Sequence, residues 1–443
     1  MLETRDPADV PADSAPTPFV VRTRDHVDAR SLAFVLAGTF ALRCASQGAG
    51  FLIPILLGIQ SRTHADVTSG IASLVFVSFF TAELISAPLF GVLSDRFGRK
   101  LFMLLGAAFG AVAAQLLGFT SLILILVLIR VLQGLSTGAS APATLGYLSA
   151  QTAGTPALRG RIMGFYEAAT VVGLAAGAAL AGRSHEHLGD LTFTLLAGAY
   201  LVALALFALV KDRPRERLAE VADTGPFRRV LSGRIMRFAP AWLAANAVLG
   251  AWFAQGPFLA SSAKNPDQLL MGASSAATIG TVFLVFGVLF TAGAIAWGFV
   301  MPRVGRQATL LTGVAGLALT TVTVWLLNHT AAGDVLLVRV LVGLVMVGIF
   351  VESGFTPAAL AYLAELAEEQ PKDRGAVMGV YSVLLSVGQV LGGTLAAPFA
   401  EGLGINGVIV LTALLCCVAA VTVVLLGYTE ARHARCDASA APR

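Results

Sequence analysis

GVLSDRFGRK, residues 91–100, is a short run of turn-forming and charged residues between two long apolar segments, and it recurs as GFVMPRVGRQ at 298–307. Three more segments recur in the same order: RVLQGL at 130–135 as RVLVGL at 339–344, APATLGYL at 141–148 as TPAALAYL at 356–363, and MGFY at 163–166 as MGVY at 378–381. The offset between the copies stays between 207 and 215 residues. The chain therefore consists of two homologous halves.

The composition indicates that these halves are embedded in a membrane. Of the 443 residues, 56% are hydrophobic and only 13% are charged, and the mean hydropathy is +0.80. In soluble domains about a quarter of all residues are charged. The apolar residues fall in blocks of about 20, the length of a helix that crosses a bilayer core. We predict twelve spans, at 32–58, 69–93, 101–118, 122–148, 162–182, 191–210, 237–259, 276–299, 308–327, 335–363, 376–399 and 403–427.

The repeat sets the relation between the two halves. Six spans separate the copies, and an even number gives both halves the same orientation in the membrane. This predicts an all-α membrane protein with twelve transmembrane helices in two six-helix bundles, related by a parallel pseudo-two-fold repeat. The predicted domains are a disordered cytoplasmic tail at 1–31, bundles at 32–210 and 237–427, a cytoplasmic linker at 211–236 and a cytoplasmic tail at 428–443.

The basic residues predict the orientation. Of the 30 Lys and Arg, Arg62, Arg183 and Lys264 lie in loops on one side, and Arg43, Arg130 and Arg339 lie within spans. The remaining 24 lie on the side that holds both termini. Because cytoplasmic loops are rich in Lys and Arg, we expect both termini to be cytoplasmic. We expect a prokaryotic plasma (inner) membrane, because the sequence shows no eukaryotic targeting segment.

Two motifs carry a resemblance to a known family. Gly91, Asp95, Arg96, Gly98, Arg99 and Lys100 follow the pattern GxxxDRxGR[RK] between the second and third spans. Arg130, Gln133, Gly134 and Gly138 follow RxxQGxxxG on the fourth span. Together with the repeat, these motifs make the chain resemble the major facilitator superfamily, and most of all its 12-helix drug:proton antiporters. The resemblance covers 32–427.

The resemblance implies a secondary transporter and not an enzyme. Its partners would be a small-molecule substrate, protons and the lipid bilayer, and it would work as a monomer without nucleic acid, cofactor or bound metal. In this family the loop acid pairs with cytoplasmic helix ends of the opposite bundle, so Asp95 would be the latch, with Arg96 and Arg99 completing a charge cluster. The second copy has Pro302 in place of the acid, and we expect a weaker latch there. The alternative is that both loops are only tight turns with arginines that set topology.

The fifth span resembles the glycine-rich helix of drug:proton antiporters. Gly164, Gly173, Gly177 and Gly182 match that pattern, whereas Ala178 replaces its proline and Ala181 one of its glycines. The partial match favours export over uptake. Glycine packing, which occurs in many membrane helices, is the alternative.

Charged residues within the spans are the candidates for proton coupling. The candidates are Glu83, Glu352, Glu167, Arg130 and Arg43, and Arg339 is a further charged residue within a span. Each costs about 2.5–3.5 kcal/mol or more at the bilayer centre, so we expect partners or water around them. Counting along the spans places Arg43, Glu83 and Glu352 near the midplane, with Arg130 close enough to join Arg43 and Glu83 in one network. Two roles remain for these acids, a proton carrier or a member of a permanent ion pair. Glu83 and Glu352 are stronger candidates for the carrier than Glu167.

The candidate substrate-binding residues are mostly aromatic or amide side chains in the spans. They are Gln47, Asn246, Trp252, Phe253, Gln255, Phe355, Tyr362, Tyr381 and Gln389. Such walls suit a hydrophobic or amphipathic compound better than a sugar. We therefore expect proton-coupled export of such compounds by alternating access; proton-coupled uptake of a metabolite and a non-transporting receptor or scaffold are the alternatives.

Overall fold

The chain is all-α in the part that the computed structural model describes, which is 28–152, 156–211, 233–272, 274–369 and 374–440. Within the helices the side chains of 156–157, 159–160, 364, 366–369, 374–382 and 430–440 lie outside this description. The predicted N-terminal tail and linker fall largely outside it as well, whereas the last helix continues to Ala440, through most of the predicted C-terminal tail. The domain bounds at 1–31, 211–236 and 428–443 stay predictions.

Thirteen helices of the described ranges form the twelve spans predicted from the sequence. The first bundle contains α1 (Ala29–Gln60), α2 (Ser69–Phe97), α3 (Arg99–Leu117), α4 (Ile123–Gln151), α5 (Pro156–Leu188) and α6 (Leu191–Ala208). The second bundle contains α7 (Gly233–Ser261), α8 (Ala276–Val304), α9 (Arg306–Asn328), α10 (Val335–Glu352), α11 (Phe355–Glu369), α12 (Arg374–Leu403) and α13 (Ile405–Ala440). The predicted all-α membrane fold is confirmed.

The tenth span is broken, where the sequence predicted one continuous helix over 335–363. α10 ends at Glu352, and Gly354 donates its backbone N–H to the carbonyl of Val351 at 3.2 Å, one residue nearer than in an α-helix. A β-carbon at Gly354 would lie 2.8 Å from the ring of Trp297. The close approach of Trp297 therefore requires glycine there, and this packing partner is not visible in the local sequence.

Small residues let the helices of each bundle approach closely. A β-carbon at Gly106 would lie 2.7 Å from the β-carbon of Ser140, so α3 and α4 touch along their backbones. In the second bundle a β-carbon at Gly388 would lie 2.6 Å from that of Asn246, which brings α12 against α7. Large side chains such as Tyr200 in the first bundle fill the space between these contacts and are fully buried.

The two bundles meet through helix pairs that the repeat relates to each other. Ser73 on α2 donates its hydroxyl to the carbonyl of Gly393 on α12 at 2.5 Å. On the other side, α8 approaches α5 so closely that a β-carbon at Gly280 would lie 2.7 Å from the carbonyl oxygen of Ala178. Gly280 follows Ser73 by 207 residues and Gly393 follows Ala178 by 215, the same offsets as in the sequence repeat. The interface therefore has the parallel pseudo-two-fold symmetry that was predicted.

The bundles are joined at one end. We call the end that holds Asp28 and Lys211 the terminal face, and the end that holds Arg62 and Lys264 the far face. Between described residues, the hydrogen bonds that connect the bundles lie in the far half; one example is Ser261 of α7, whose hydroxyl donates to the carbonyl of Ile55 at 3.0 Å. The bundles are therefore joined at the far face, and from this we infer that the central space between them opens toward the terminal face.

Arg339 differs from its expected surroundings. We predicted a partner or water between the helices for each arginine in a span, but the side chain of Arg339 is exposed. It lies only four residues from the far end of α10. A long arginine side chain in that position can extend to the membrane surface, so no buried partner is needed.

Candidate functional site

Arg130 is held rigidly inside the first bundle. Its side chain is only 4% exposed. Its Nε donates to the carbonyl of Val75 at 3.3 Å, and one terminal nitrogen donates to Oε1 of Gln133 at 2.8 Å. The guanidinium lies 4.5 Å from the centre of the Phe79 ring, a cation–π contact. These contacts occupy Arg130, and no carboxylate of the described residues is in direct contact with it.

Glu83 lies on α2 between two arginines. Its side chain is half-buried, and the charges of Arg43 and Arg130 both act on its carboxylate. That carboxylate forms no direct hydrogen bond or ion pair with the residues that the structure describes. The structure thus brings together the three residues of the predicted network, as a cluster that interacts through space. Because two guanidinium groups face one carboxylate, the cluster carries a net positive charge when Glu83 is ionised.

Arg43 and Glu167 connect this cluster to the open side. Arg43 on α1 is half-buried and lies beside Tyr166 as well as Glu83. Glu167 on α5 is exposed and acts electrostatically on Arg43. Since Glu167 lies in the terminal half of its helix, the charged residues form a series from the open terminal side inward to Glu83.

Glu352 occupies a separate place in the second bundle. It is the last residue of α10, at the helix break, and its side chain faces Thr320 of α9. A small cavity of about 40 Å³ lies beside it, with Asn246, Phe290 and Phe355 among the lining residues. That volume holds about one water molecule. The structure therefore does not join Glu352 to the Arg43–Glu83–Arg130 cluster.

An aromatic cluster spans the two bundles below the closed far face. The ring of Phe253 on α7 lies 5.4 Å from that of Phe283 and 6.3 Å from that of Phe286, both on α8. Phe51 on α1 approaches Phe283 at 5.3 Å, edge to face. Phe253 was among the predicted substrate residues, whereas Phe51 and Phe283 were not. Their role depends on which helices face each other, which the sequence pattern does not show.

Several predicted substrate residues are used in packing instead. Gln255 is fully buried and its amide donates to the backbone carbonyl of Ser69 at 2.9 Å and to the hydroxyl of Ser73 at 2.8 Å, so it joins the bundles. Tyr362 is 1% exposed in the core of the second bundle. Trp252 donates its Nε1 hydrogen to the hydroxyl of Thr412 at 2.9 Å. In this structure Gln255 and Tyr362 do not line the central space, because other helices cover them.

The remaining predicted substrate residues have varied surroundings. Gln47 is half-buried on α1. Asn246 and Phe355 line the small cavity at Glu352, and the Asn246 amide donates to the carbonyl of Trp242 at 2.8 Å. Gln389 is buried, and its Oε1 has no hydrogen-bond partner among the described residues. The side chain of Tyr381 lies outside the described residues.

The loop between α2 and α3 is built around an ion pair within one bundle. Asp95 is exposed and lies 2.8 Å from a terminal nitrogen of Arg99, whose other terminal nitrogen donates to the carbonyl of Gly146 at 2.6 Å. Gly98 has φ +111° with no atom within 4 Å of its missing β-carbon, so the backbone conformation alone requires glycine. Gly91 faces Pro142 of α4 at an ordinary packing distance. Arg96 is exposed and Lys100 half-buried.

The second copy of this loop finds a carboxylate elsewhere. Gly305 repeats the positive φ, at +87°. Arg306, the counterpart of Arg99, forms an ion pair with Glu365 of α11 and lies 4.7 Å from the centre of the Tyr362 ring. Pro302 therefore removes the local acid, and Glu365 on a different helix replaces it as the partner of the arginine. Sequence reasoning missed Glu365, because it lies 59 residues from Arg306 along the chain.

Comparison with known proteins agrees with this architecture. The family model described as Major Facilitator Superfamily matches residues 35–346 and 268–442. "Multidrug resistance protein 1" of Bacillus subtilis (strain 168) is 25% identical over 358 residues, covering 78% of this chain and 84% of that protein. "Tetracycline resistance protein, class C" of Escherichia coli is 26% identical over 294 residues, covering 64% of this chain and 71% of that protein.

A solved structure shows the same fold. The crystal structure of the nucleoside transporter NupG superposes with a TM-score of 0.69, and the match covers 90% of this chain and 98% of that chain. The two sequences are only 15% identical. At that identity the likeness concerns the arrangement of helices and carries no information about the compound transported.

Proposed function

This chain belongs to the Major Facilitator Superfamily, and from that premise we propose that it is a membrane transporter that exports small hydrophobic or amphipathic compounds in exchange for protons. The names of two relatives, a multidrug resistance protein and a tetracycline resistance protein, support the direction and the kind of substrate. The opening of the central space at one face supports alternating access, in which the two bundles rock around a site near the midplane.

The observation that carries the proposal is the position of Glu83. A carboxylate in a permanent ion pair would be held in direct contact with a guanidinium. Glu83 instead lies half-buried near two guanidinium groups without touching either, while Arg130 is occupied by Val75 and Gln133. Burial favours the protonated carboxylic acid and the nearby positive charges favour the carboxylate, so small changes in hydration shift the balance between the two forms. This is the behaviour that proton coupling requires.

The other acids have secondary roles in the proposal. Glu352 is a second proton carrier, since it adjoins a cavity large enough for a water molecule. Glu167, nearer the open face, passes protons between bulk water and the Arg43–Glu83–Arg130 cluster. The two bundles would then each contribute one carrier.

The substrate class follows from the aromatic cluster. Phe253, Phe283 and Phe286 offer apolar ring surface at the bundle interface, and the buried ring of Phe51 packs against Phe283 from the first bundle. Gln47, half-buried on α1, adds a polar side chain from the first bundle. Pockets of this kind bind apolar or amphipathic molecules and orient them with a small number of hydrogen bonds.

The direction of transport assumes an orientation in the cell. We propose that the terminal face is cytoplasmic in the plasma membrane, because it carries 24 of the 30 basic residues. The structure then corresponds to the state that is open to the cytoplasm. The proposed unit of function is a single chain.

The test is flux in proteoliposomes with the membrane potential clamped by potassium and valinomycin. An imposed pH gradient, acidic inside, should drive ethidium, a flat amphipathic cation, into the lumen as protons leave. Liposomes that contain the Glu83→Gln/Glu352→Gln protein are the control for passive dye accumulation. Accumulation in the alkaline compartment would show symport instead, and binding of ethidium without flux would show a receptor or scaffold.

A further inference from the structure

Two carboxylates cross the bundle interface at the far face and bind the beginning of a helix in the opposite bundle. Glu186, near the end of α5, accepts the backbone N–H of Ala277 at 3.0 Å. Glu401, near the end of α12, accepts the backbone N–H of Gly70 at 2.9 Å. Ala277 and Gly70 are each the second residue of their helices, α8 and α2. The contact is thus of the same kind in both places.

The repeat relates the two contacts. Glu401 follows Glu186 by 215 residues, and Ala277 follows Gly70 by 207. These are the offsets that relate the motif copies and the helix pairs of the interface. Each half of the chain therefore supplies one carboxylate and one helix N-terminus, and the pair obeys the pseudo-two-fold symmetry of the molecule.

Helix N-termini attract carboxylates for two reasons. The first N–H groups of a helix have no partner within it, and the helix dipole places partial positive charge at that end. At an exposed position such an interaction shifts an equilibrium by about two- to fivefold. Both glutamates are exposed, so neither is needed to fill the core.

The geometry belongs to a state in which the far face is closed. Each contact joins one bundle to the other, so rocking that opens the far face must separate the carboxylate from the helix. We infer that Glu186 and Glu401 are paired gating residues that hold the far face closed and release it when the bundles rock. This inference rests on the alternating access of the proposed function, and it assigns these two residues a role distinct from that of Asp95 at the terminal face.

The two contacts are not equally supported by their surroundings. Ser275, which precedes α8, accepts the N–H of Thr278 at 3.3 Å with its own hydroxyl. Thr68, which precedes α2, makes no such side-chain bond. Ser275 also lies beside the carboxylate of Glu186, so Glu186 interacts with a side chain as well as a backbone N–H across the interface, whereas Glu401 accepts the N–H of Gly70.

The distance between two nitroxide spin labels, measured by double electron–electron resonance, reports directly whether the far face is closed or open. Nitroxides are attached at Thr63→Cys and Lys264→Cys, exposed positions just beyond α1 and α7, in a protein whose native Cys44, Cys416, Cys417 and Cys436 are replaced by alanine. Glu186→Ala and Glu401→Ala should each increase the ratio of long to short distances about two- to fivefold. The double variant should show about the product of the two effects.

The control is Asp66→Ala, which removes an exposed far-face carboxylate that contacts no helix N-terminus of the opposite bundle among the described residues. Unchanged distances in the double variant, or an equal change with Asp66→Ala, would overturn the inference. Glu186→Gln and Glu401→Gln, which keep the side-chain shape, give the same comparison if an alanine variant does not fold. Because spin distances require no flux, absence of ethidium transport would count against the proposed function and leave the gate measurement valid.

Discussion

At the scale of single residues, the main feature of this protein is the set of charged side chains placed in its low-dielectric interior. Arg130 is buried, yet backbone carbonyl, amide and ring contacts hold it in place. Glu83 is close to it without touching it. A charge that is removed from such a cluster changes the electrostatics of the remaining members more than it changes packing. Functional and structural roles can therefore be separated by substitution.

The first prediction concerns proton coupling. Glu83→Gln keeps the size of the side chain and fixes a neutral, proton-like state. We expect it to abolish accumulation of ethidium driven by a pH gradient while binding of ethidium persists, because no proton is exchanged at the site. Glu352→Gln should have the same kind of effect, and Glu167→Gln a smaller one.

Fluxes and thermal unfolding of the three Gln variants are measured together. If an acid has only a structural role, its replacement by Gln should lower the unfolding temperature, because a buried arginine then lacks its compensating charge. If all three variants stay stable and fully proton-coupled, none of these carboxylates carries the proton.

The second prediction concerns the loop acid. We expect Asp95→Asn to reduce ethidium transport about fivefold or more, because the proposed pairing of Asp95 with helix ends of the opposite bundle would contribute about 1 kcal/mol. Its free energy of unfolding should change by less than about 1 kcal/mol, because the ion pair with Arg99 is exposed.

Pro302→Ala is the comparison for Asp95→Asn, because it alters the corresponding position in the second loop. We expect it to change transport less than Asp95→Asn does, since Arg306 keeps Glu365 as its partner. Transport rates and thermal unfolding of the two variants are compared side by side. Equal losses in both variants would contradict a dominant role for the first loop.

At the scale of helices, the glycines of α5 divide by what they touch. Gly177 packs against the backbone of Cys44 on α1, and Gly182 packs against α8 of the opposite bundle. Gly164 has no atom within 4 Å of the position of a β-carbon. The sequence pattern treats these three glycines alike. Close helix packing accounts for glycine at Gly177 and Gly182, but not at Gly164.

The third prediction follows from this difference. Gly177→Val should destabilise the protein by about 1–3 kcal/mol, because its methyl groups would overlap the α1 backbone. Gly164→Val, the matched control on the same helix, should change stability by less than about 0.5 kcal/mol. Unfolding in increasing denaturant measures both. Similar losses in the two variants would mean that Gly177 does not pack as the structure shows.

At the scale of the whole molecule, the asymmetry between the two faces is the main feature. The far face is joined by hydrogen bonds between the bundles, such as that from Ser261 to Ile55. In the terminal half, Phe165 on α5 and Phe299 on α8 are exposed positions, one in each bundle. When two rigid bundles rock about a central axis, the far face opens and the terminal face closes.

The fourth prediction is that the two faces move in opposite directions. Labels at Phe165→Cys and Phe299→Cys should come closer in the same conditions in which labels at Thr63→Cys and Lys264→Cys move apart. Spin distances with and without ethidium, at high and low pH, test this. Distances that are the same in all conditions would indicate a static receptor or scaffold.

Hydropathy and repeated motifs were enough to predict the fold class, the twelve spans and the parallel repeat, because both are properties of the chain read in order. Counting residues along straight helices also grouped Arg43, Glu83 and Arg130 in one cluster, since the count gives the depth of each. The packing of the helices was needed to tell which side chains face the central space and which are covered, as with Gln255 and Tyr362.

The break at Gly354, the pairing of Arg306 with Glu365, and the contacts of Glu186 and Glu401 also emerged only from the packed helices. Each of them depends on which helix lies opposite. Lipid makes nearly every outward face of a membrane helix apolar, so the local pattern of the chain does not distinguish a face that meets another helix from a face that meets lipid. Close packing of small residues and complementary side chains decides that choice, and it acts between segments that are far apart in the sequence.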